Sequence, residues 1–169
     1  MTGGSIDHRK VLIAGVGHPN LRDLSFGQIL LAHLQREEWP EWVDLENLSY
    51  GAIAVLQWFQ DSPGKYAKVL FVSAVEREGR APGTIDVYRY DFPTLDEDVV
   101  QGCVAESVTG IIGLDNLLAI LHYFKALPPD VEIFEIEPVE TDIGFECSPE
   151  IAGRFPEFSG IVRESVKSV

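Results

Sequence analysis

Cations, cysteines and long apolar runs are what this 169-residue chain has least of. Its 13 Lys and Arg stand against 27 Asp and Glu, a formal net charge of -14 at pH 7. With a sequence pI near 4.5, its field repels phosphate backbones and anionic lipid, which disfavours nucleic acid and membrane surfaces as partners. No apolar run reaches the roughly 18 residues of a membrane helix. Met1 to Lys10 is polar and lacks the apolar stretch of a secretion signal, which points to the cytoplasm. The two cysteines, Cys103 and Cys147, lie far apart and in no CxxC pair. That argues against a disulfide framework and a cysteine-only zinc site, and both read as ordinary thiols. No internal repeat or low-complexity tract is visible. What the chain does have is apolar content: 46% hydrophobic residues, with 9 Phe, 5 Tyr and 3 Trp. That is enough for a core and against global disorder. The length suits one domain, expected over residues 10–169 after a flexible tail over residues 1–9.

Along the chain, Lys10-Val11-Leu12-Ile13-Ala14 reads as a buried strand stopped by Gly15-Val16-Gly17. Ser25 is the expected cap of a helix running from Phe26 to near Arg36, with Ile29, Leu30 and Leu34 at helical spacing. Trp42, Val43, Leu45 and Leu48 suggest a second strand, and Ala52 to Phe59 a second helix closed by Asp61-Ser62-Pro63-Gly64. Lys68 to Ala74 is nearly continuous in apolar character, as a central strand covered on both faces is. Thr84 to Tyr90 alternates, which suits an edge strand reached by a short hairpin-like connection. Phe92 to Thr109, with acids at Asp96, Glu97 and Asp98, is expected to be an irregular excursion holding at most a short helix. A helix from Gly113 carries Leu114, Leu117, Leu118, Leu121 and Phe124 on one face and ends at Pro128-Pro129. Val131 to Ile136 is the last strand, and Ser148-Pro149-Glu150 opens a final helix.

This alternation predicts an α/β fold, a three-layer αβα sandwich on a mostly parallel, mixed sheet of about five strands. In such sheets ligands bind beyond the carboxyl ends of the strands. Three segments meet there: the glycine turn after the first strand, Ser73 to Gly79, and the loop entering the helix at Gly113. The turn Gly15-Val16-Gly17-His18-Pro19-Asn20 invites a dinucleotide reading. Against it, Asn20 replaces the third glycine, Pro19 removes an amide, and Glu46 is only a loose candidate for a ribose-binding acid.

A longer pattern fits better: Gly15-x-Gly17, Asp23 and Gly27, directly after Val-Leu-Ile-Ala and before an amphipathic helix. With it go Tyr50-Gly51-Ala52-Ile53-Ala54-Val55-Leu56, Phe71-Val72-Ser73-Ala74-Val75-Glu76, and Ala81-Pro82-Gly83-Thr84-Ile85. Later come Ile112-Gly113-Leu114-Asp115-Asn116-Leu117-Leu118, Ile136-Glu137-Pro138, and Gly144-Phe145-Glu146-Cys147-Ser148-Pro149-Glu150. In this order, over nearly the whole chain, they resemble the nickel-iron hydrogenase maturation endopeptidases. The resemblance implies a phosphorylase/hydrolase-like α/β domain and a partner that is a hydrogenase large subunit or another hydrogenase assembly protein. It also implies an activity: removal of a C-terminal peptide from that subunit once nickel is installed, the metal being recognised through an acid, an aspartate and a histidine.

Carried over one at a time, those three positions fall on Leu24, Ser73 and Gly110. Leucine and glycine side chains offer no lone pair, and a neutral hydroxyl is a poor partner for a divalent ion that favours imidazole and carboxylate. The expectation is therefore a maturation-protease-like binding or assembly factor, a pseudoenzyme without bound nickel or other cofactor. A second reading relocates the metal to His18, Asp23 and Glu76, one imidazole and two carboxylates from the same loops. The bland readings beside it are Asp23 as a helix cap, Glu76 as a solvated charge and His18 on a loop carbonyl. His122, seven residues beyond Asp115, is expected on a solvated helix face, and His8 and His33 have no catalytic neighbour in sequence. Ser73 lacks the G-x-S-x-G turn of a hydrolase nucleophile.

Overall fold

The computed structural model describes residues 9–110 and 113–168. The expected tail over residues 1–9 therefore lies, apart from Arg9, outside the described residues, as do His8 and Ile112.

Five strands form one sheet in the order β2-β1-β3-β5-β4. They are β1 (Lys10–Gly15), β2 (Val43–Asn47), β3 (Tyr66–Ala74), β4 (Ile85–Arg89) and β5 (Asp130–Ile136). The first three and β5 pair in parallel, whereas β4 runs antiparallel to β5 at the edge. The helices are α1 (Phe26–Leu34), α2 (Ala52–Gln60), α3 (Glu97–Ser107), α4 (Leu114–Tyr123), α5 (Pro149–Ala152) and α6 (Phe155–Lys167). On one face β1, β3 and β5 present Leu12, Phe71 and Ile133 to α2 and α4, with Cys103 of α3 in the same cluster. On the other they present Ile13, Leu70 and Phe134 to α1 and α6, where Phe26 and Phe158 meet edge to face at 4.9 Å between ring centroids. The alternation of side chains along each strand thus feeds two cores, one per face. The result is a three-layer αβα sandwich. Among the described residues no helix is long and apolar enough to cross a membrane.

Several expectations need correction. The strand at 85–89 does not hairpin onto β3. Both edges of β3 are taken, by β1 and by β5, and β5, buried at five of its seven residues, holds the interior place while the mostly exposed β4 takes the edge. Phe92 to Thr109 holds an 11-residue helix, α3, capped by the Asp96 carboxylate accepting from the Asp98 N–H at 2.8 Å. The acidic cluster that looked irregular is a helix start, where carboxylates complement the dipole. Helix α4 stops at Tyr123, so Phe124 lies past the helix, 44% exposed, rather than on the buried stripe. The last helix is broken in two at Gly153 and Arg154. Ser25 stands at the expected cap of α1, but its hydroxyl donates back to the Arg22 carbonyl instead.

Candidate functional site at the carboxyl ends of the strands

Chain leaving β1 turns through Gly15 and Gly17 into a 3-10 turn, Arg22–Ser25, that delivers α1. The glycines make contact rather than pliancy. A Cβ on Gly27 would lie 2.2 Å from the Val16 carbonyl oxygen and 2.6 Å from that of Val72, so α1 begins against the ends of β1 and β3. The Val16 N–H donates to the Val72 carbonyl at 3.0 Å and the His18 N–H to the Leu24 carbonyl at 2.8 Å. With those amides committed and none on Pro19, the turn lacks the row of free donors that cradles a phosphate. Glu46, the loose ribose-binding candidate, is exposed on β2.

Asp23 is fully buried, although a carboxylate is almost never so unless paired. Its partners come from a loop more than a hundred residues away. One carboxylate oxygen accepts the Ser148 N–H at 2.7 Å; the other accepts the N–H groups of Val139 and Glu140 at 2.9 and 2.8 Å and the Ser148 hydroxyl at 2.8 Å. Neighbouring bonds tighten the same junction. Gly144 donates its N–H to the Asn20 carbonyl, and the Arg22 N–H donates to the Gly144 carbonyl. The Arg22 guanidinium pairs with Glu140 and Asp142. Asp23 is therefore a pin between the first loop and the segment over residues 139–148, and not the helix cap that local spacing suggested. That segment is a fourth member of the strand-end cluster, which the sequence reading did not place there. Ile143 and Phe145 project from it, 83% and 81% exposed.

Leu24 is half-buried beside the pin. Ser73 is buried at the end of β3, its hydroxyl donating to the Val16 carbonyl at 2.8 Å, which braces β3 against the glycine turn. Gly110 is exposed after α3 with φ +135°, a backbone conformation that favours glycine. Neither Leu24 nor Gly110 has a donor atom for a metal, and the Ser73 hydroxyl is engaged; these residues do not fit nickel. His18 is half-buried and Glu76 exposed, and with Asp23 sealed under four donors they form no ligand group. Among the described residues no cluster of three or more His, Cys, Asp or Glu could hold a metal ion.

A polar constellation that the sequence reading missed lies beside these loops. Arg77, after β3, takes both oxygens of Glu135 at 2.6 and 3.1 Å and both oxygens of Asp115 at 2.6 and 2.9 Å. Arg80 donates to Glu137 at 2.8 Å, to Glu135 at 3.2 Å and to the Val75 carbonyl at 2.6 Å. The Tyr88 hydroxyl donates to Glu135 at 2.7 Å. Burial alone pushes the Glu135 carboxyl up, but the hydrogen bonds from Arg77 and Tyr88 outweigh it and hold the group below the usual carboxylate range. Three carboxylates and two guanidinium groups thus satisfy one another and clamp the loop after β3 to β5 and α4. Asp115 belongs to this network while staying exposed, as expected of that face, whereas His122 is half-buried with its Nδ1 3.1 Å from the Tyr90 hydroxyl. One sequence signal could have found the cluster: a glutamate inside the apolar run of β5 needs a buried partner.

Three solved structures match this arrangement. A hydrogenase 2 maturation peptidase from a Thaumarchaeota archaeon superposes with a TM-score of 0.66 at 27% identity, covering 94% of this chain and 98% of that one. The fold is that of the hydrogenase maturation proteases. The maturating endopeptidase HybD from Escherichia coli has a TM-score of 0.69 at 17% identity, covering 94% and 93% of the two chains. The [NiFe] hydrogenase maturation protease HycI from Thermococcus kodakarensis has 0.58 at 18%, covering 94% and 92%. No protein-family model and no curated protein matches the sequence. The maturation-protease fold is thus shared over 94% of the chain.

Proposed function

We propose that this chain is a non-cleaving relative of the hydrogenase maturation proteases, one that grips a hydrogenase large subunit or another hydrogenase assembly protein without trimming it. The reading rests on one observation: the positions that the resemblance assigns to metal recognition carry a hydrocarbon, a committed hydroxyl and a hydrogen at Leu24, Ser73 and Gly110. The nearest replacement acid, Asp23, is spent on four hydrogen bonds. Retention of the frame around a site without donors favours binding over hydrolysis. Ile143 and Phe145, held out by a pinned loop, offer the large apolar contacts that protein interfaces use.

A cleavage assay on a nickel-loaded large-subunit precursor, with metal titration, tests the catalytic half. No trimming at any metal concentration is expected. Trimming that disappears in His18→Ala or Glu76→Ala would replace this reading with the relocated-site one. A pull-down from a hydrogenase-producing host tests the binding half, and recovery of no hydrogenase component would remove it.

A further inference from the structure

At the opposite end of the sheet, where β1, β3 and β5 begin, lies a cavity of about 280 Å³. It is formed by the turn before β3 and the turn before β5. Three of the chain's 13 Lys and Arg line it, Arg9, Lys65 and Lys125, and among the described residues no Asp or Glu does. In a chain of net charge -14 that is a local reversal of sign. Phe59, Tyr66 and Leu127 give the cavity apolar wall, two of them with aromatic rings. Asp44, on neighbouring β2, is shared between Lys10 at 2.8 Å and Lys65 at 3.1 Å and accepts from the Tyr66 hydroxyl at 2.9 Å, so one carboxylate is divided between two cations and offsets Lys65 only in part, and Lys125 is outside that pairing.

Lys125 carries the argument. It follows α4 with φ +56°, closing the helix as its N–H donates to the His122 carbonyl and that of Ala126 to the Leu121 carbonyl. Glycine is the usual residue at such a left-handed position, and a lysine there is strained. A cation complements a helix carboxyl end from any place in the last turn, so the dipole does not explain why this one occupies the strained place. Its position does: Lys125 lines this cavity and also the adjoining hollow formed with Phe92 and His122.

We propose that the cavity binds a small organic anion with a flat apolar body, its charge meeting Lys125 and Lys65 and its body meeting Phe59, Tyr66 and Leu127. The volume is at the small end for ligand sites, which limits the occupant to about one ring. The proposal is independent of the hydrogenase reading, since it concerns the other end of the sheet.

Phenyl phosphate is the probe, followed by amide chemical shifts in the intact protein, with inorganic phosphate and benzyl alcohol as charge-only and ring-only controls. Phenyl phosphate should bind at least tenfold more tightly than either and move the amides of residues 59–66 and 125–127. Lys125→Gly should weaken it by about tenfold while leaving the melting temperature equal or higher, because the strain is relieved. Lys125→Met, which keeps the side-chain length and the backbone strain but removes the charge, should weaken it equally. Absent binding, equal binding of inorganic phosphate, or unchanged affinity in both variants would overturn the proposal.

Discussion

Replacing Asp23 by alanine should cost this fold more than any other single polar change at the strand ends. The carboxylate is fully buried and is the acceptor for three backbone N–H groups and one hydroxyl. Truncation strands those donors from Val139, Glu140 and Ser148, and an unpaired buried donor costs about 1–3 kcal/mol. Water entering the vacated space recovers part of this, leaving a net loss of about 3–5 kcal/mol. For a chain of this length each kcal/mol lowers the melting temperature by about 2–4 °C, so the drop should be on the order of 10 °C. Asp23→Asn keeps one acceptor oxygen but turns an amine toward a donor, and should lose about half as much. Thermal unfolding gives the size of the effect. Amide hydrogen exchange gives its place, with faster exchange at Val139, Glu140 and Ser148 while the centre of β3 stays protected. A shift below about 2 °C with unchanged exchange would refute the pin, because a carboxylate free to serve a metal contributes little to metal-free stability.

Other changes follow from the same geometry. Gly27→Ala should prevent α1 from seating, since its methyl would press on the Val16 and Val72 carbonyls, at a cost of about 3 kcal/mol or more; soluble protein with wild-type melting would contradict it. Glu135 is held ionised by Arg77 and Tyr88 against the pull of burial, so its stabilisation is full above the ordinary value of 4.5 and is lost as pH falls through the lower folded value. Glu135→Gln should therefore be less stable at pH 7 by about 1–3 kcal/mol, since it leaves Arg77 with Asp115 alone and Arg80 with Glu137 alone as carboxylate partners within hydrogen-bond distance, and should lose less than wild type between pH 5 and pH 3 in urea titrations. Burial, and then the nearby Asp23 charge, push the Cys147 thiol up to about 12, so an aromatic disulfide reagent at pH 8 should react with it slowly in native protein and quickly in urea. Equal rates would place Cys147 in a different environment.

Local signals carried the sheet. The nearly continuous apolar strand at 68–74, the Val, Ile and Phe of 131–136, glycine punctuation after β1 and leucine spacing in α4 are properties of short windows, and the folded chain keeps them. What windows cannot report is who answers a polar group from far away. Asp23 looked like a cap or a ligand because its partners lie 116 to 125 residues onward. The same blindness hid the pairing of Arg77 with Glu135, 58 residues apart, and the Tyr90 partner of His122. The pairing of β4 also escaped, because chain order favours the preceding strand while burial favours inserting β5. Of the site, the identity of the three residues at the carried-over positions was legible; the loop over 139–148 that completes their surroundings was not.

Each of the residues at those three positions also fits its own local setting. The hydroxyl of Ser73 ties the end of β3 to the Val16 carbonyl, and a carboxylate in its place would set oxygen against oxygen, tolerable only with a cation between them. At Leu24 the turn uses only the backbone, whose carbonyl receives the His18 N–H, so the side chain is free to be apolar. Gly110 adopts a φ of +135°, where a histidine would be strained, so a donor at that point demands a different backbone and not merely a different side chain. Loss of a single ligand would leave a damaged metal site with two donors still aimed at an empty centre. Here instead the hydroxyl is satisfied, the turn is closed and the neighbouring acid is sealed, which is a stable arrangement in its own right and one with no reason to recruit an ion.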